Sequence, residues 1–245
     1  MTYVILILAS LWAGTQNALA GGGSFITLPS LMLTGMDAHA ANITSTIALF
    51  PAQIATGLTG RKWVSGTAGL SFRALAIISL AGGVIGALLL LVTPPSFFAR
   101  LVPWLVLFAT FIFGWGSFGP RREGGPRLNR YGAAAAQSCI SIYGGYFGGG
   151  IGFLMLAALT ASGLALKAAG ASKNVLAAVM NASAVAIFVF SPEVRWLAAL
   201  VAGTGAILGG ILGGLMLQKV NERVLRVLVI LIGIALTIGL FLRAQ

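Results

Sequence analysis

The sequence predicts an all-α fold: a polytopic helical membrane protein with two inverted repeats, each containing a glycine-broken or re-entrant helix. Three observations predict it. The chain is almost uncharged, its apolar residues fall into ten runs of which two are short, and it resembles itself at an offset of 128 residues.

Of 245 residues, 15 are Lys or Arg and 4 are Asp or Glu, so 8% are charged and 58% hydrophobic. A soluble domain has about a quarter of its residues charged; the mean hydropathy here is +1.00. At about 20 residues per spanning helix, the length suits roughly eight spans. The formal charge of +11 sits between apolar runs, where it reads as topology signal and headgroup contact. Nucleic acid is not an expected partner, because the basic and aromatic clusters it needs are absent. The lone Cys139 leaves no thiolate cluster or intrachain disulfide.

The runs cover residues 3–20, 24–35, 40–59, 68–92 and 97–118, then 131–145, 150–163, 172–190, 196–217 and 224–242. The first could pass for a signal peptide ending at Ala18-Leu19-Ala20, but no Lys or Arg precedes it, and a signal peptide needs a basic leading segment. It is therefore read as the first helix. The second run of each group of five is too short to span and follows a glycine triplet, Gly21-Gly22-Gly23 or Gly148-Gly149-Gly150. Such triplets weaken a helix. Irregular backbone at membrane depth is tolerated only inside protein or along a cavity, so the triplets are expected to mark interior breaks.

At the offset of 128, Gly21, Gly22, Phe25, Leu28, Leu31, Gly35, Ala40 and Ala41 meet identical residues from Gly149 to Ala169, and Gly82–Leu88 faces Gly209–Leu215 at 127. Ordered matches of this kind predict a duplicated architecture. The division is residues 1–118 for the first repeat, 119–130 for a basic cytoplasmic loop and 131–245 for the second repeat. Basic residues favour the cytoplasmic side of short loops. The cluster from Pro120 to Arg130, Gly60-Arg61-Lys62-Trp63 and the turn from Gln218 to Arg223 are thus expected inside, with Thr93–Ser96 and Ser191–Glu193 outside. The halves then enter from opposite sides, a common transporter plan with substrate held near the midplane at the repeat interface.

Asp37, Glu123, Glu193 and Glu222 all fall in expected turns or run ends. That argues against an intramembrane aspartyl protease, a carboxylate-lined cation site and a proton pump built on buried acids. His39 is the single histidine and reads as a boundary residue, with a proton relay as the lesser alternative; a metal site is not expected, and neither is a cofactor. The polar residues expected to carry function are uncharged except for one: Asn42, Thr44, Ser45 and Thr46 with Gln53 in the first repeat, and Ser172, Lys173 and Asn174 with Asn181 in the second. As helix starts they serve either as caps, or with backbone N–H groups as an anion site at half-helix N-termini. Lys173 aligns with Ser45 and has no acid near it in sequence. It either meets an anionic ligand or snorkels to water from a shallow loop. The glycines at 82, 83, 86, 209, 210, 213 and 214 suit close helix packing.

The blocks Gly21–Phe25 through Asn42–Thr46 and Gly148–Phe153 through Ser172–Asn174 resemble the TauE/SafE family of sulfite exporters. The resemblance covers nearly the whole chain. It implies export of sulfite, sulfonates or organosulfur acids across the bacterial inner membrane by a multi-pass protein that is not an enzyme. Two departures leave the substrate open: Ala157 stands where the proline matching Pro29 would be, and Lys173-Asn174 replaces a Ser/Thr-like pair. The partners implied are a small anionic substrate and the lipid bilayer, with assembly into a homo-oligomer left open. Export of such an anion is the leading function. Carriage of neutral or zwitterionic metabolites is the alternative, followed by a membrane scaffold without transport.

Overall fold

A computed structural model describes residues 2–19, 22–59, 61–118, 128–216 and 222–243. Ten α-helices follow in order: α1 Thr2–Leu19, α2 Ser24–Met32, α3 Ala38–Thr59, α4 Phe72–Val92, α5 Pro95–Phe118, α6 Arg130–Tyr146, α7 Ile151–Ala161, α8 Leu166–Phe188, α9 Trp196–Met216 and α10 Glu222–Arg243. Each matches one apolar run of the sequence. Gly21, Glu123, most of the central basic loop and the turn at 217–221 lie outside the described residues. Among those described, Phe72–Val92, Pro95–Trp115, Leu166–Phe188 and Trp196–Gly213 are long and apolar enough to cross a bilayer on length and composition. α3 is as long as these but carries more polar residues, because much of its surface faces protein.

The bundle has two ends. At one, His39 opens α3 and contacts the Leu90 carbonyl at the close of α4 and Glu193 in the α8–α9 turn; this is the His39 end. At the other, the Trp63 ring after α3 lies under the Lys167 ammonium at the start of α8; this is the Trp63 end. α3 and α8, corresponding members of the two halves, therefore run antiparallel.

The short helices are returning legs of hairpins. A Cβ on Gly23 would lie 2.9 Å from the Ala13 carbonyl, so α2 turns back along α1, and its exit at Thr34–Met36 shares a cavity with Tyr3. In the second half the Leu128 N–H donates to the Ala161 carbonyl at 3.2 Å, which brings the close of α7 beside the start of α6. The first hairpin thus opens from the His39 end and the second from the Trp63 end. Matched glycines make the turns. Gly22 and Gly150 have φ of 83° and 75°, and Gly35 and Gly163 have φ of 93° and 98°, left-handed conformations that other residues rarely adopt.

Packing between the halves repeats in the same way. α1 lies along α9 as α6 lies along α4, α3 meets α9 as α8 meets α4, and α5 pairs with α10. Small residues permit the close approach. A Cβ on Gly209 would overlap the Leu11 carbonyl, and one on Gly86 the Ile142 carbonyl. Gly82 and Gly83 press in the same way on Ser141 and on Met180 and Ser183. Lipid gives helices no hydrophobic reason to associate, so contact of this kind does the work. Between the layers lies a core that includes Phe25, Leu28, Ile43, Phe98, Phe113, Phe147 and Phe188.

One expectation is corrected here. The polar stretches at Asn42–Thr46 and Ser172–Asn174 are not helix starts, since α3 begins at Ala38 and α8 at Leu166. Asp37 caps α3, its Oδ1 accepting from the N–H groups of His39 and Ala40 at 2.9 and 3.0 Å. Alanine-rich turns precede both polar stretches and carry the helix back past them. The N–H groups of the polar residues are therefore spent inside the helix, and Lys173 is two turns into α8 rather than in a shallow loop.

Candidate substrate cleft

The tips of the two hairpins come together. Gly22 and Ser24 from the first, and Gly148, Ile151 and Gly152 from the second, line one cleft with Asn17, Gln53, Thr56, Lys173, Asn174 and Ala177. Two helices therefore begin at this cleft, α2 at Ser24 and α7 at Ile151. The first N–H groups of a helix lack intrahelical acceptors and form the positive end of its dipole. The anion-favouring N-termini are thus those of α2 and α7, whereas the sequence pointed to α3 and α8. Phe25 and Phe153 donate back to Gly22 and Gly150 at 3.0 and 3.1 Å, which tightens each first turn.

Lys173 adds a full positive charge. Among the described residues the recorded ion pair is His39–Glu193 at the His39 end, and no carboxylate lines the cleft. Asn181 donates its Nδ2 to Oε1 of Gln53 at 2.6 Å. These two residues are 128 apart, the offset at which the sequence resembles itself, so positions matched in the sequence bond to each other. With its oxygen engaged, Gln53 offers the cleft an NH2 donor. Asn181 Oδ1 is buried without a partner among the described residues.

The cleft is displaced toward the Trp63 end. Thr56 is three residues from the close of α3, and Lys173 to Ala177 form the second and third turns of α8. On the opposite side of the interface, Ser45, the match of Lys173, is hydrogen-bonded to Thr27 of α2 at 2.5 Å. The cleft on the Lys173 side is about 30 Å³, room for about one water molecule.

Of the nine polar residues singled out from the sequence, Gln53, Lys173 and Asn174 line the cleft, with Asn181 behind Gln53. The other five bond within the fold. Asn42 donates to the Tyr146 carbonyl at 3.0 Å, Thr46 donates to the Asn42 carbonyl at 2.9 Å, and Thr44 accepts from the Arg195 N–H at 3.3 Å. Ser172, the match of Thr44, likewise accepts from a turn N–H, that of Ser65, at 3.0 Å. Ser45 is held by Thr27. Of the triplets, Gly22 and Gly148 line the cleft and Gly23, Gly149 and Gly150 stand in the same breaks. Sequence reasoning missed Asn17, Ser24 and Thr56. An amide and two hydroxyls beside the glycine triplet and Gln53 were a readable signal, passed over because single polar residues in apolar runs most often bond to their own helix.

The family model described as sulfite exporter TauE/SafE matches residues 6–240. A probable membrane transporter protein, ORF9, of Sinorhizobium sp is 28% identical over 251 residues, covering 96% of this chain and 90% of that protein. One of Haemophilus influenzae is 27% identical over 239 residues, covering 95% of this chain and 92% of the relative. The probable membrane transporter protein YfcA of Escherichia coli K12 is 28% identical over 236 residues, covering 93% and 85%. No solved structure matches the chain. With its apolar helices and its match from end to end, the chain belongs to the sulfite exporter TauE/SafE family of membrane transport proteins.

Proposed function

We propose that the chain exports a small sulfur oxyanion or organosulfonate across the bacterial inner membrane through this cleft. The observation that carries the reading is the convergence of two helix N-termini, the Lys173 side chain and the Gln53 and Asn174 amides on a cleft that, among the described residues, no carboxylate lines. Donors and positive ends select an anion, and their absence of acidic partners leaves the charge available to it. Each half contributes one hairpin tip, so rocking one half against the other exposes the same residues to the two sides in turn. A singly charged anion leaving an inside-negative cell gains about 2.3 kcal/mol per 100 mV, so export needs no intramembrane acid to drive it.

The test is flux from proteoliposomes loaded with sulfite, sulfoacetate, taurine or sulfate at clamped voltage and pH. Voltage-dependent release of sulfite or sulfoacetate supports the proposal. Release of taurine alone, indifferent to voltage and to competing anions, would replace it with a carrier of zwitterions.

A further inference from the structure

We propose that His39 and Glu193 together bind one proton and that this proton fastens the two halves of the bundle at the His39 end, making it a coupling ligand of the conformational cycle.

The chemistry follows from the acceptors around a single imidazole. His39 Nε2 is 2.8 Å from the Leu90 carbonyl oxygen. A carbonyl only accepts, so Nε2 carries a hydrogen. Nδ1 is 2.5 Å from Oε2 of Glu193. A neutral imidazole protonated at Nε2 presents a lone pair at Nδ1, and an ionised carboxylate presents another. Two lone pairs repel at that separation, so a proton lies between them, counted either as imidazolium with carboxylate or as imidazole with carboxylic acid. The pair as built holds one proton more than free imidazole and carboxylate, and is neutral overall. Releasing it to water leaves one negative charge and a repulsive contact.

The surroundings decide which partner moves. The His39 side chain is 2% exposed and the Glu193 side chain 34%. The imidazole is held by Leu90 on one side and by the Phe98 ring of α5, edge-on at 5.4 Å. Other titratable or charged groups nearby are engaged elsewhere or point to solvent. Asp37 accepts from the backbone of His39 and Ala40, and Tyr146 of α6, behind Phe98, donates to Thr93 at 3.4 Å. Arg195, two residues past Glu193, is exposed, as is Arg100 two residues past Phe98. Deprotonation therefore swings Glu193 outward. Glu193 belongs to the second half and His39 to the first, so that movement releases this contact between them, beside the Arg195 N–H bond to Thr44. The adjoining residues Val194 and Arg195 line a cavity of about 560 Å³ with Tyr3, Thr34 and Leu197, beside the 34% exposed Glu193 side chain. At the matched position in the other half, Lys167 lies 3.6 Å above the Trp63 ring, a contact with no proton shared between two titratable groups. The clasp is thus proton-dependent at one end only.

Because His39 is the single histidine, the test is direct and uses no substrate, so it stands apart from the anion reading. Full-length protein labelled with 15N-histidine is followed by NMR in nanodiscs between about pH 5 and 9. The expected spectrum has Nε2 protonated throughout and Nδ1 reporting a shared proton that is lost as pH rises. In Glu193→Gln, whose amide can still donate to Nδ1, the imidazole should stay neutral and the shared-proton signal should vanish. Identical spectra in the two proteins would overturn the site. Spin labels at Thr34→Cys and Leu197→Cys in a Cys139→Ser background then read the clasp. Their separation should lengthen at high pH in the parent and be pH-invariant with Glu193→Gln. A parent distance that ignores pH while the imidazole titrates would overturn the coupling role.

Discussion

At the scale of single residues, Lys173 is where charge and geometry meet. It is the cation of the cleft lining, and a charge-assisted hydrogen bond is worth about 1.5 to 3 kcal/mol. Lys173→Met is therefore expected to weaken affinity for sulfite or a sulfonate about tenfold to a hundredfold, read by isothermal titration or by competition against flux. Lys173→Arg should keep part of the affinity, since charge survives while its geometry changes. Unchanged binding in Lys173→Met would leave recognition to the helix N-termini and amides. Polarity within an apolar run made Gln53, Lys173 and Asn174 legible in the sequence. The same polarity marked Asn42, Thr44 and Ser172, whose hydrogen bonds go to backbone groups far along the chain. Polarity announces that a partner exists; only the fold says whether that partner is ligand or backbone.

At the scale of elements, glycine separates two jobs that composition alone merges. Gly209 faces α1 so closely that a Cβ would overlap the Leu11 carbonyl, whereas a Cβ on Gly170 of α8 would meet nothing within 4 Å. Gly209→Ala should push α1 from α9 and cost about 1 to 3 kcal/mol, lowering the thermal midpoint in detergent. Gly170→Ala should be neutral or raise it, because glycine in an open helix costs about 0.5 to 1 kcal/mol relative to alanine. Equal midpoints in the two variants would remove the close-packing argument. The helices themselves were readable run by run. The starts of α3 and α8 were misplaced onto their polar stretches, because a polar stretch and a helix cap look alike until the alanine turns before them are seen to fold.

At the scale of the whole molecule, the two hairpins open from opposite ends and their tips meet between the halves. If the basic Arg61–Trp63 segment faces the cytoplasm, the α4–α5 and α8–α9 turns face outward. Single cysteines at Ser96 or Ser191 in a Cys139→Ser background should then react with an impermeant maleimide added outside intact cells. Labelling only after the membrane is opened would reverse the orientation. Thr27→Val, which removes the hydroxyl bonded to Ser45, is expected to raise the labelling rate of a cysteine placed at Ser30, one turn further along α2.

The sequence by itself determined the all-helical fold and the membrane setting. These depend on composition and on periodicities local to each run, which lipid and the backbone enforce segment by segment. Only the tertiary structure decided that the short helices return as hairpins, that Gln53 meets Asn181, and that α2 and α7 supply the N-termini of the cleft. It alone joined His39 to Glu193, 154 residues away. Such contacts arise where distant segments bring lone pairs, donors and bare backbone within hydrogen-bond reach, and no spacing along the chain encodes that distance.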